Sequence, residues 1–448
     1  MKVTQYQTTD NLSFAKRPVF PSVNMSGAIT LTRTGHAIMD DFLGFGVAIT
    51  GSSCYELSLM SPEQRESLLK SIYTKDGIGL SVGRLSVGAS DYSAELYSYD
   101  DVEGDVELKH FSIERDKSYI IPMIKEILKI KPDLFLYAAP WSPPGWMKTG
   151  GSLCGGYMRE EFIECYADYL IRFLQEYEAC GIHISAITPQ NEPETQQHGT
   201  MPACIWHPDI EARFISVLRR KLTEQDMNTE IWMYDYNFDN TERVIWSLDT
   251  HKDLAKDCNG IGFHYYRGAI EETDVLRQRY PHLKRHFTEG GPRLYDHYDN
   301  DWCKWGIMMS KVLNHGFSSF TGWNLMLDEH GGPNIGPYFC GGLVTQNSVT
   351  GELSYSGQYK VFGHIARFME PGAEVLETEV NKNVSGLFGY PKSALPVHTA
   401  AFRNPDGKLV YILVNQDSTK RQIQFFEGGT WWYVELLPNS LSTVIIEE

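Results

Sequence analysis

The sequence predicts an α/β protein, a (β/α)8 TIM barrel with a side β-sandwich domain. From about residue 40, short runs rich in β-branched and aromatic residues alternate with amphipathic helical stretches, a pattern typical of parallel strands joined by crossover helices. After about residue 372, short alternating strands separated by Gly, Pro, Asn and Asp indicate a β-sandwich. The length of 448 residues has room for a barrel of about 250 residues and a smaller companion.

Eight runs qualify as barrel strands, the number that closes this fold. They cover residues 41–50, 80–87, 133–140, 184–190, 230–236, 260–266, 284–291 and 320–327. The stretches between them have helical patterns. In SPEQRESLLKSIY, Ser61 can cap a helix with Pro62 in its first turn, and EEFIECYADYLIRFLQEYEAC is strongly periodic. Residues 37–371 are therefore predicted to form the catalytic barrel.

The remaining residues are predicted to form the β-sandwich. Its C-terminal part, residues 372–448, contains strand-like segments at VSGLFGY, HTAAFRN, KLVYILVN, QIQFFE and STVIIEE. Residues 1–36 are too irregular for a barrel strand and helix, so we expect this N-terminal segment to contribute to the same β-sandwich.

The charge balance and the N-terminus exclude several classes of partner. The net charge of −17 repels phosphate backbones and anionic membrane surfaces, so we expect neither nucleic acid nor a stable membrane association. The start, MKVTQYQTTDNLSF, lacks the basic and apolar regions of a secretory signal, and no apolar run approaches the roughly 18 residues of a spanning helix. We therefore expect a cytoplasmic protein. The sequence is compatible with both a monomer and a homo-oligomer.

The chemistry-bearing residues give no sign of a metal or a cofactor. The eight cysteines are scattered without C-x-x-C spacing, which argues against a zinc site or a redox dithiol and for reduced thiols. The acidic segment DHYDND, residues 296–301, has ligands that Ca²⁺ could use, but a solvated acidic turn is the preferred interpretation.

Polar and aromatic residues follow the carboxyl ends of the predicted strands, where enzymes with this fold carry their active sites. In strand order these residues are Ser90 and Asp91, Trp141, Asn191 and Glu192, His264 and Tyr266, Glu289, and Trp323 and Asn324. A buried carboxylate must be paired, so a carboxylate at a strand end indicates function more than structure.

Two of these residues, Glu192 and Glu289, fit the chemistry of glycosidic bond cleavage. That reaction needs one carboxylic acid to protonate the leaving oxygen and a second carboxylate, about 5 Å away for retention, to attack the anomeric carbon. Glu192 lies in TPQNEPE, and Glu289 lies in HFTEGGP, where two glycines permit close approach of a ligand. A capping or turn role is the alternative for each, and Glu194 is a rival acid.

Seven motifs occur in order over residues 45 to 334: FGVAITGSS, GRLSVGASDYS, APWSPPGWMKTGG, TPQNEPE, FHYY, FTEGG and GWNLMLDEHGGPN. With a following GQYKVFGHIARFMEPG segment and the C-terminal β-domain, nearly the whole chain resembles glycoside hydrolase family 30, the glucosylceramidase-like family of clan A retaining β-glycosidases. The resemblance implies a barrel with a side β-sandwich.

The resemblance also implies a role for each site residue. Glu192 matches the acid/base and Glu289 the nucleophile. Asp91 and Trp141 match residues that bind sugar hydroxyls, Asn191 the partner of the 2-hydroxyl, Trp323 an aromatic floor, and Arg84 and Tyr266 groups beside the nucleophile. His264 and Asn324 match less securely, and for them a structural role is an equal alternative.

The expected function is retaining hydrolysis of terminal β-linked sugars, as in an exo-acting β-glucosidase or glucosylceramidase, on a small glycoside or oligosaccharide. The loops after Glu192 and after strand eight depart from the glucosylceramidase pattern, which argues against a lipid leaving group. The alternatives are a β-xylosidase, then a β-fucosidase or β-1,6-glucanase, a transglycosylase, and a non-catalytic sugar-binding protein. No cofactor and no metal are required.

Overall fold

The computed structural model describes residues 1–25, 28–197, 199–380 and 397–447. Its strands are β1 Lys2–Thr9, β2 Leu12–Arg17, β3 Phe20–Ser22, β4 Ile29–Met39, β5 Gly44–Ala48, β6 Val82–Val87, β7 Phe135–Pro140, β8 Ala186–Ile187, β9 Glu230–Asn237, β10 Gly260–His264, β11 Lys284–Glu289, β12 Ser319–Gly322, β13 Met326–Asp328, β14 Val344–Gln346, β15 Leu353–Tyr355, β16 Glu374–Val380, β17 Val397–Arg403, β18 Leu409–Asn415, β19 Arg421–Glu427, β20 Thr430–Leu436 and β21 Ser440–Glu447.

The α-helices lie mainly between the barrel strands. They are α1 Gly51–Leu59, α2 Pro62–Tyr73, α3 Ile120–Ile130, α4 Ile163–Ala179, α5 Pro208–Glu224, α6 Thr241–Thr250, α7 Leu254–Asp257, α8 Asp274–Arg279, α9 Trp302–Asn314 and α10 Gly357–His364. As the sequence predicts, Ser61 caps α2 by accepting a hydrogen bond from the Gln64 N–H, and Pro62 occupies the first turn. Within the described ranges, no helix is long and apolar enough to cross a membrane.

Strands β5 to β12 form a closed parallel barrel in chain order, which confirms the predicted (β/α)8 architecture. Each of the eight predicted runs overlaps one barrel strand. The last run divides, because β12 ends at Gly322 and β13 begins at Met326. Asn324 lies between them with a φ of +54°, a conformation that asparagine tolerates better than most residues and that turns the chain out of the barrel.

The second domain is a sheet of ten strands in the order β2-β1-β21-β18-β17-β16-β4-β19-β20-β3. The first 39 residues supply four of these strands, and β1 pairs with β21 from Lys2↔Glu447 to Thr8↔Leu441. Apolar side chains of β4 and β16 to β21 enclose one core, which contains Leu31, Leu413 and Phe425. Strands β17, β18, β19 and β21 correspond to four of the named C-terminal segments, whereas VSGLFGY lies outside the described residues.

The long segment that follows β6, residues 88–119, contains Asp91. One buried carboxylate within this segment anchors it to α4. Asp116 accepts hydrogen bonds from the hydroxyls of Tyr97 at 2.7 Å, Tyr99 at 2.6 Å and Tyr177 on α4 at 2.6 Å. Burial raises the pKa of Asp116, although the three hydroxyls oppose that rise. The segment is thus fixed to α4 beneath the site.

Replacing Asp116 should lower the stability of the whole barrel, since Asp116→Ala leaves three buried hydroxyls without an acceptor. We expect the free energy of unfolding to fall by about 3 to 5 kcal/mol. Urea unfolding followed by tryptophan fluorescence measures the change. Glu114→Ala, on the exposed side of the same turn, is the control and should stay within about 0.5 kcal/mol. Equal values for the two variants would contradict the assigned role of Asp116.

Candidate active site

Nine of the ten predicted site residues end or follow a barrel strand, and the tenth, Arg84, lies within β6. Seven of them line one pocket: Asp91, Trp141, Asn191, Glu192, Tyr266, Glu289 and Trp323. The other three, Arg84, His264 and Asn324, are buried next to these residues and do not line the pocket. Six of the eight barrel strands, with the turns that follow them, therefore bring together residues that are up to 240 positions apart, from Arg84 to Asn324.

Glu192 and Glu289 face each other across the pocket. One carboxylate oxygen of Glu192 lies within 4.8 Å of one carboxylate oxygen of Glu289. Glu192 has a φ of +51°, and its N–H donates to the Asp235 carbonyl at 3.0 Å, so the chain turns sharply where it leaves β8. Such a conformation is uncommon for a residue with a Cβ and is typical of functional sites.

Glu289 is held by two donors at the end of β11. Its Oε2 accepts a hydrogen bond from Arg84 Nη1, and its Oε1 accepts one from the Tyr266 hydroxyl at 2.8 Å. Because each donor contacts a different oxygen, together they fix the orientation of the carboxylate. Burial, followed by the charge of Glu289, raises the pKa of Tyr266 well above its ordinary value, so its hydroxyl remains a donor.

Arg84 is the central cation of the site. Besides Glu289, its Nη2 donates to Asn191 Oδ1 at 2.7 Å and to Asp235 Oδ2 at 2.9 Å, and its side chain is fully buried. The indole of Trp141 lies 4.9 Å from the guanidinium carbon. Burial opposes the charge, but Asp235 and Glu289 raise the pKa of Arg84 above its ordinary value, so the residue is charged.

His264 joins the acid/base candidate to Asp235. Its Nδ1 lies 3.0 Å from Glu192 Oε1, and its Nε2 lies 3.2 Å from Asp235 Oδ1. Burial lowers the pKa of His264, but the charge of Glu289 and the hydrogen bonds to Asp235 and Glu192 raise it overall to about 9. For Asp235, burial is outweighed by Arg84 and His264, which hold the pKa of its carboxyl below the ordinary value.

The remaining predicted residues form the walls of the pocket or lie behind it. The rings of Trp141 and Trp323 stack with centroids 5.4 Å apart. The Oδ1 atom of Asp91 has no hydrogen-bond partner among the described residues. Burial and the charges of Glu289 and Glu192 raise the pKa of Asp91 well above its ordinary value, so it can offer a proton to a hydroxyl. Asn324 accepts from the Thr50 hydroxyl at 2.9 Å, outside the pocket.

Sequence reasoning omitted several residues that the structure places in the site. Asp235 lies two residues before the carboxyl end of β9, and a search for polar residues near strand ends would have found it. Gln197 and Tyr338 belong to two loops: Gln197 Nε2 donates to Glu192 Oε2, and the Tyr338 hydroxyl donates to Gln197 Oε1 at 2.7 Å. No sequence pattern marks either. Glu194, the rival acid, instead accepts from Arg243 at 3.3 Å and does not line the pocket.

The spacing of Glu192, His264 and Glu289 is also one that a metal ion could use. Both nitrogens of His264 already contact carboxylates, and Arg84 already provides a cation to Glu289. The three groups therefore fit a network of hydrogen-bonded charges better than a metal site. In the acidic segment at 296–301, Asp296 pairs with Lys304 at 2.9 Å, and Asp301 accepts from the Trp305 indole at 2.7 Å.

A (β/α)8 barrel that presents two close carboxylates among stacked indoles at its carboxyl-terminal face is typical of glycoside hydrolases. The chain belongs to glycoside hydrolase family 30: the family's TIM-barrel domain matches residues 42–369, and its β-sandwich domain matches residues 389–444. This confirms the resemblance that the motifs indicate, and the protein is a glycoside hydrolase.

Proteins that are similar to this chain include a glucosylceramidase by name and an endo-glucanase by name. Putative glucosylceramidase 4 of Caenorhabditis elegans is 27% identical over 442 residues, covering 90% of this chain and 80% of the relative. The crystal structure of SrfJ from Salmonella typhimurium has a TM-score of 0.91 and 26% identity, with 100% of each chain covered. The endo-β1,6-glucanase BT3312 has a TM-score of 0.86 and 28% identity, again over 100% of each chain.

The contact between Tyr266 and Glu289 provides a test of the site. Tyr266→Phe removes one hydrogen bond to a charged group and should lower kcat/KM for an aryl β-glucoside by about 10- to 100-fold. Tyr265→Phe is the matched control, because the adjacent ring packs against Trp305 at 5.3 Å and does not line the pocket. Equal losses in the two variants, measured by initial rates, would show that the Tyr266 hydroxyl has no special role.

Proposed function

We propose that this protein is a retaining, exo-acting β-glucosidase that removes a terminal β-linked glucose by double displacement. Glu289 is the nucleophile, and Glu192 is the general acid and then the general base. The observation that carries the proposal is the distance of no more than 4.8 Å between oxygens of the two carboxylates. Retaining enzymes have their carboxyl groups about 5 Å apart, whereas inverting enzymes need more space for a water molecule.

In the first step, Glu289 attacks the anomeric carbon as the bond to the leaving oxygen breaks. Arg84 and Tyr266 each contact a different oxygen of Glu289, so they orient the carboxylate for attack. Glu192 gives its proton to the leaving oxygen, which departs as an alcohol. The product of this step is a glycosyl ester on Glu289.

In the second step, Glu192 acts as a base toward water. It takes a proton from water as the oxygen attacks the anomeric carbon, and the ester bond to Glu289 breaks. The Glu192 side chain retains 13% exposure, compared with 8% for Glu289, so water reaches it from the pocket mouth. Both carboxyl groups return to their starting states.

Binding of the sugar is assigned to the walls of the pocket. Stacked Trp141 and Trp323 offer apolar surface to a sugar ring, and Asp91 Oδ1 has a hydrogen-bonding position free for a hydroxyl. Asn191 lies next to Glu192 and is oriented by Arg84, a position suited to the 2-hydroxyl. We therefore assign this wall to the glycone.

A loop beside Asp91 supports action on chain ends. The Ile335 N–H donates to the Asp91 carbonyl at 2.8 Å, and a Cβ at Gly336 would lie only 2.7 Å from Asp91 Cβ. The backbone of residues 335–336 therefore packs against the backbone and Cβ of Asp91, the residue that we assign to the glycone. We infer that a loop at this place opposes a sugar chain that continues beyond the glycone.

An endo-β-1,6-glucanase is the second candidate, because the protein is 28% identical to an endo-β1,6-glucanase over the full length of both chains. A β-1,6-linked glucose oligosaccharide labelled at its reducing end separates the two candidates. Exo action releases glucose first and shortens the labelled chain by one sugar at a time. A mixture of internal fragments at early times would replace the exo proposal with the endo alternative.

Retention is a direct prediction of the close carboxylates. Proton NMR during hydrolysis of an aryl β-glucoside should show β-glucose first, with α-glucose appearing only at the rate of mutarotation. Early α-glucose would mean inversion and would contradict a covalent intermediate on Glu289.

The nucleophile assignment predicts the effect of Glu289→Gln. This change should lower kcat by a factor on the order of 10⁴ or more, because an amide cannot form the glycosyl ester. Glu194→Gln is the matched control, since Glu194 pairs with Arg243 outside the pocket. We expect the control to stay within about 3-fold of the parent activity. Substantial turnover by Glu289→Gln, in protein purified free of host glucosidases, would refute the assignment.

A further inference from the structure

We propose that Arg293 binds an anionic group of the substrate, a carboxylate, phosphate or sulfate, at the wall of the pocket. This inference rests on the proposed function and deepens it, because it names the class of β-glucoside that the site takes. Arg293 follows β11 and lines the pocket. Neither the two chemical steps nor the proposed contacts with the glycone use its side chain.

The guanidinium of Arg293 has no acceptor in the surrounding protein. Among the described residues, no carboxylate oxygen lies within 4.0 Å of its nitrogens, and no oxygen accepts a hydrogen bond from them. The side chain is half-buried, and none of its nitrogens is fully enclosed. Arginine stays charged in proteins and carries five N–H donors. A ligand in the pocket therefore meets a charged group whose donors are unused.

Two phenol rings and the backbone fix this guanidinium in the pocket wall. Its central carbon lies 5.4 Å from the ring centroid of Tyr266 and 5.8 Å from that of Tyr338. Such cation–π contacts stabilise the charge but supply no oxygen acceptor. The backbone of Arg293 forms an antiparallel bridge with Cys340, which also lines the pocket. The cation is thus held in place before a ligand binds, which lowers the entropic cost of binding.

The other arginines of the site show that the lack of a partner is unusual. Arg84 has two carboxylate partners, and Arg267, which also lines the pocket, pairs with Asp239 at 2.6 Å. The chain has 57 acidic residues against 40 basic ones, so a shortage of carboxylates does not explain the unpaired Arg293. An unpaired, partly desolvated charge is costly. An anionic ligand would supply the missing partner, since guanidinium binds carboxylate and phosphate through two parallel hydrogen bonds.

The position of Arg293 relative to the reacting groups indicates a role in binding. The Tyr266 hydroxyl donates to Glu289 at 2.8 Å, and the Tyr338 hydroxyl reaches Glu192 through one amide side chain. One aromatic ring thus separates the guanidinium from the proposed nucleophile, and a ring and an amide separate it from the proposed acid/base. An anion at Arg293 would lie outside the bond that is cleaved. Two parts of the substrate, the leaving group and the glycone, could carry that anion.

The other charges of the pocket would disfavour an anion if Arg293 were neutral. Glu192 and Glu289 line the pocket, and the positive charge of Arg84 is already shared between two carboxylates. Arg267 is likewise paired. Among the described residues that line the pocket, Arg293 is therefore the cation whose charge remains for a ligand. Its removal should lower the activity toward anionic glucosides relative to neutral ones.

The test compares a neutral substrate with two anionic ones. 4-Methylumbelliferyl β-glucoside is neutral, 3-carboxyumbelliferyl β-glucoside carries a carboxylate on the leaving group, and 4-methylumbelliferyl β-glucoside 6-phosphate carries a phosphate on the glycone. For each anionic substrate, the ratio of its kcat/KM to that of the neutral substrate is measured in the parent protein and in Arg293→Met. We expect the ratio for the preferred anionic substrate to fall by about 10- to 100-fold, mainly through KM.

Arg267→Met is the matched control, since it also removes one positive charge from the pocket wall but leaves Arg293 in place. Its two ratios should stay within about 3-fold of the parent values. Arg293→Lys keeps the charge without the planar fork and should restore part of the lost ratio. Sulfate provides a measurement that needs no variant: added to the parent protein at constant ionic strength, it should raise KM for the preferred anionic substrate more than for the neutral one.

The outcomes separate the two sources of the anion. A fall for the carboxyumbelliferyl substrate assigns the anion to the leaving group, and a fall for the 6-phosphate assigns it to the glycone. Unchanged ratios in folded Arg293→Met, or equal falls in Arg267→Met, would overturn the role of Arg293. If Arg293→Met does not fold, equal effects of sulfate on all three substrates would do the same. Absence of turnover of all three substrates by the parent protein would instead overturn the proposed function, on which this substrate class depends.

Discussion

One buried cation, the guanidinium of Arg84, organises the whole site. Transfer of an unpaired charge from water into a protein interior costs several kcal/mol, so Arg84 inside the barrel requires partners with good geometry. It has three of them, Glu289, Asp235 and Asn191, which lie in or after three other strands. Through these contacts Arg84 sets the relative positions of Glu289, the proposed nucleophile, and Asn191, the residue before the proposed acid/base.

Two aromatic rings shield this cation from water. Trp141 and Trp323 lie over Arg84 at 4.9 and 5.5 Å and exclude water from one side of it. In such surroundings, charge interactions are stronger than in water, and donors that are already oriented cost nothing to reorganise during the reaction. The stacked indoles, which we propose as the sugar-binding surface, thus also shield the charged groups next to them.

The fold and the centre of the site could be predicted because both follow periodic rules. Alternating strand and helix patterns locate all eight barrel strands, and strand ends locate Glu192 and Glu289. The divided last strand could not be predicted, since it depends on the left-handed backbone of Asn324. The pairing of the N-terminal strand β1 with β21 also depends on contacts between residues more than 400 positions apart.

The loop residues were beyond sequence reasoning for a different reason. Gln197 contacts Glu192, and Tyr338 contacts Gln197, only because two loops without regular structure meet at the pocket. The hydrophobic periodicity of a sequence does not predict where the side chains of such loops lie. Asp235 is an intermediate case. Its position near the carboxyl end of a strand can be predicted from the sequence, but its contacts with both Arg84 and His264 can be seen only in the folded barrel.

Covalent trapping tests the central claim, that Glu289 carries the sugar between two steps, most directly. A 2,4-dinitrophenyl 2-deoxy-2-fluoro-β-glucoside forms the glycosyl ester and greatly slows its hydrolysis. Mass spectrometry of the intact protein, followed by peptide mapping, should find one fluoroglucosyl group per chain, on the peptide that contains Glu289. A label on Glu192 or Asp91, or no label on protein that hydrolyses the parent glucoside with retention, would contradict the account.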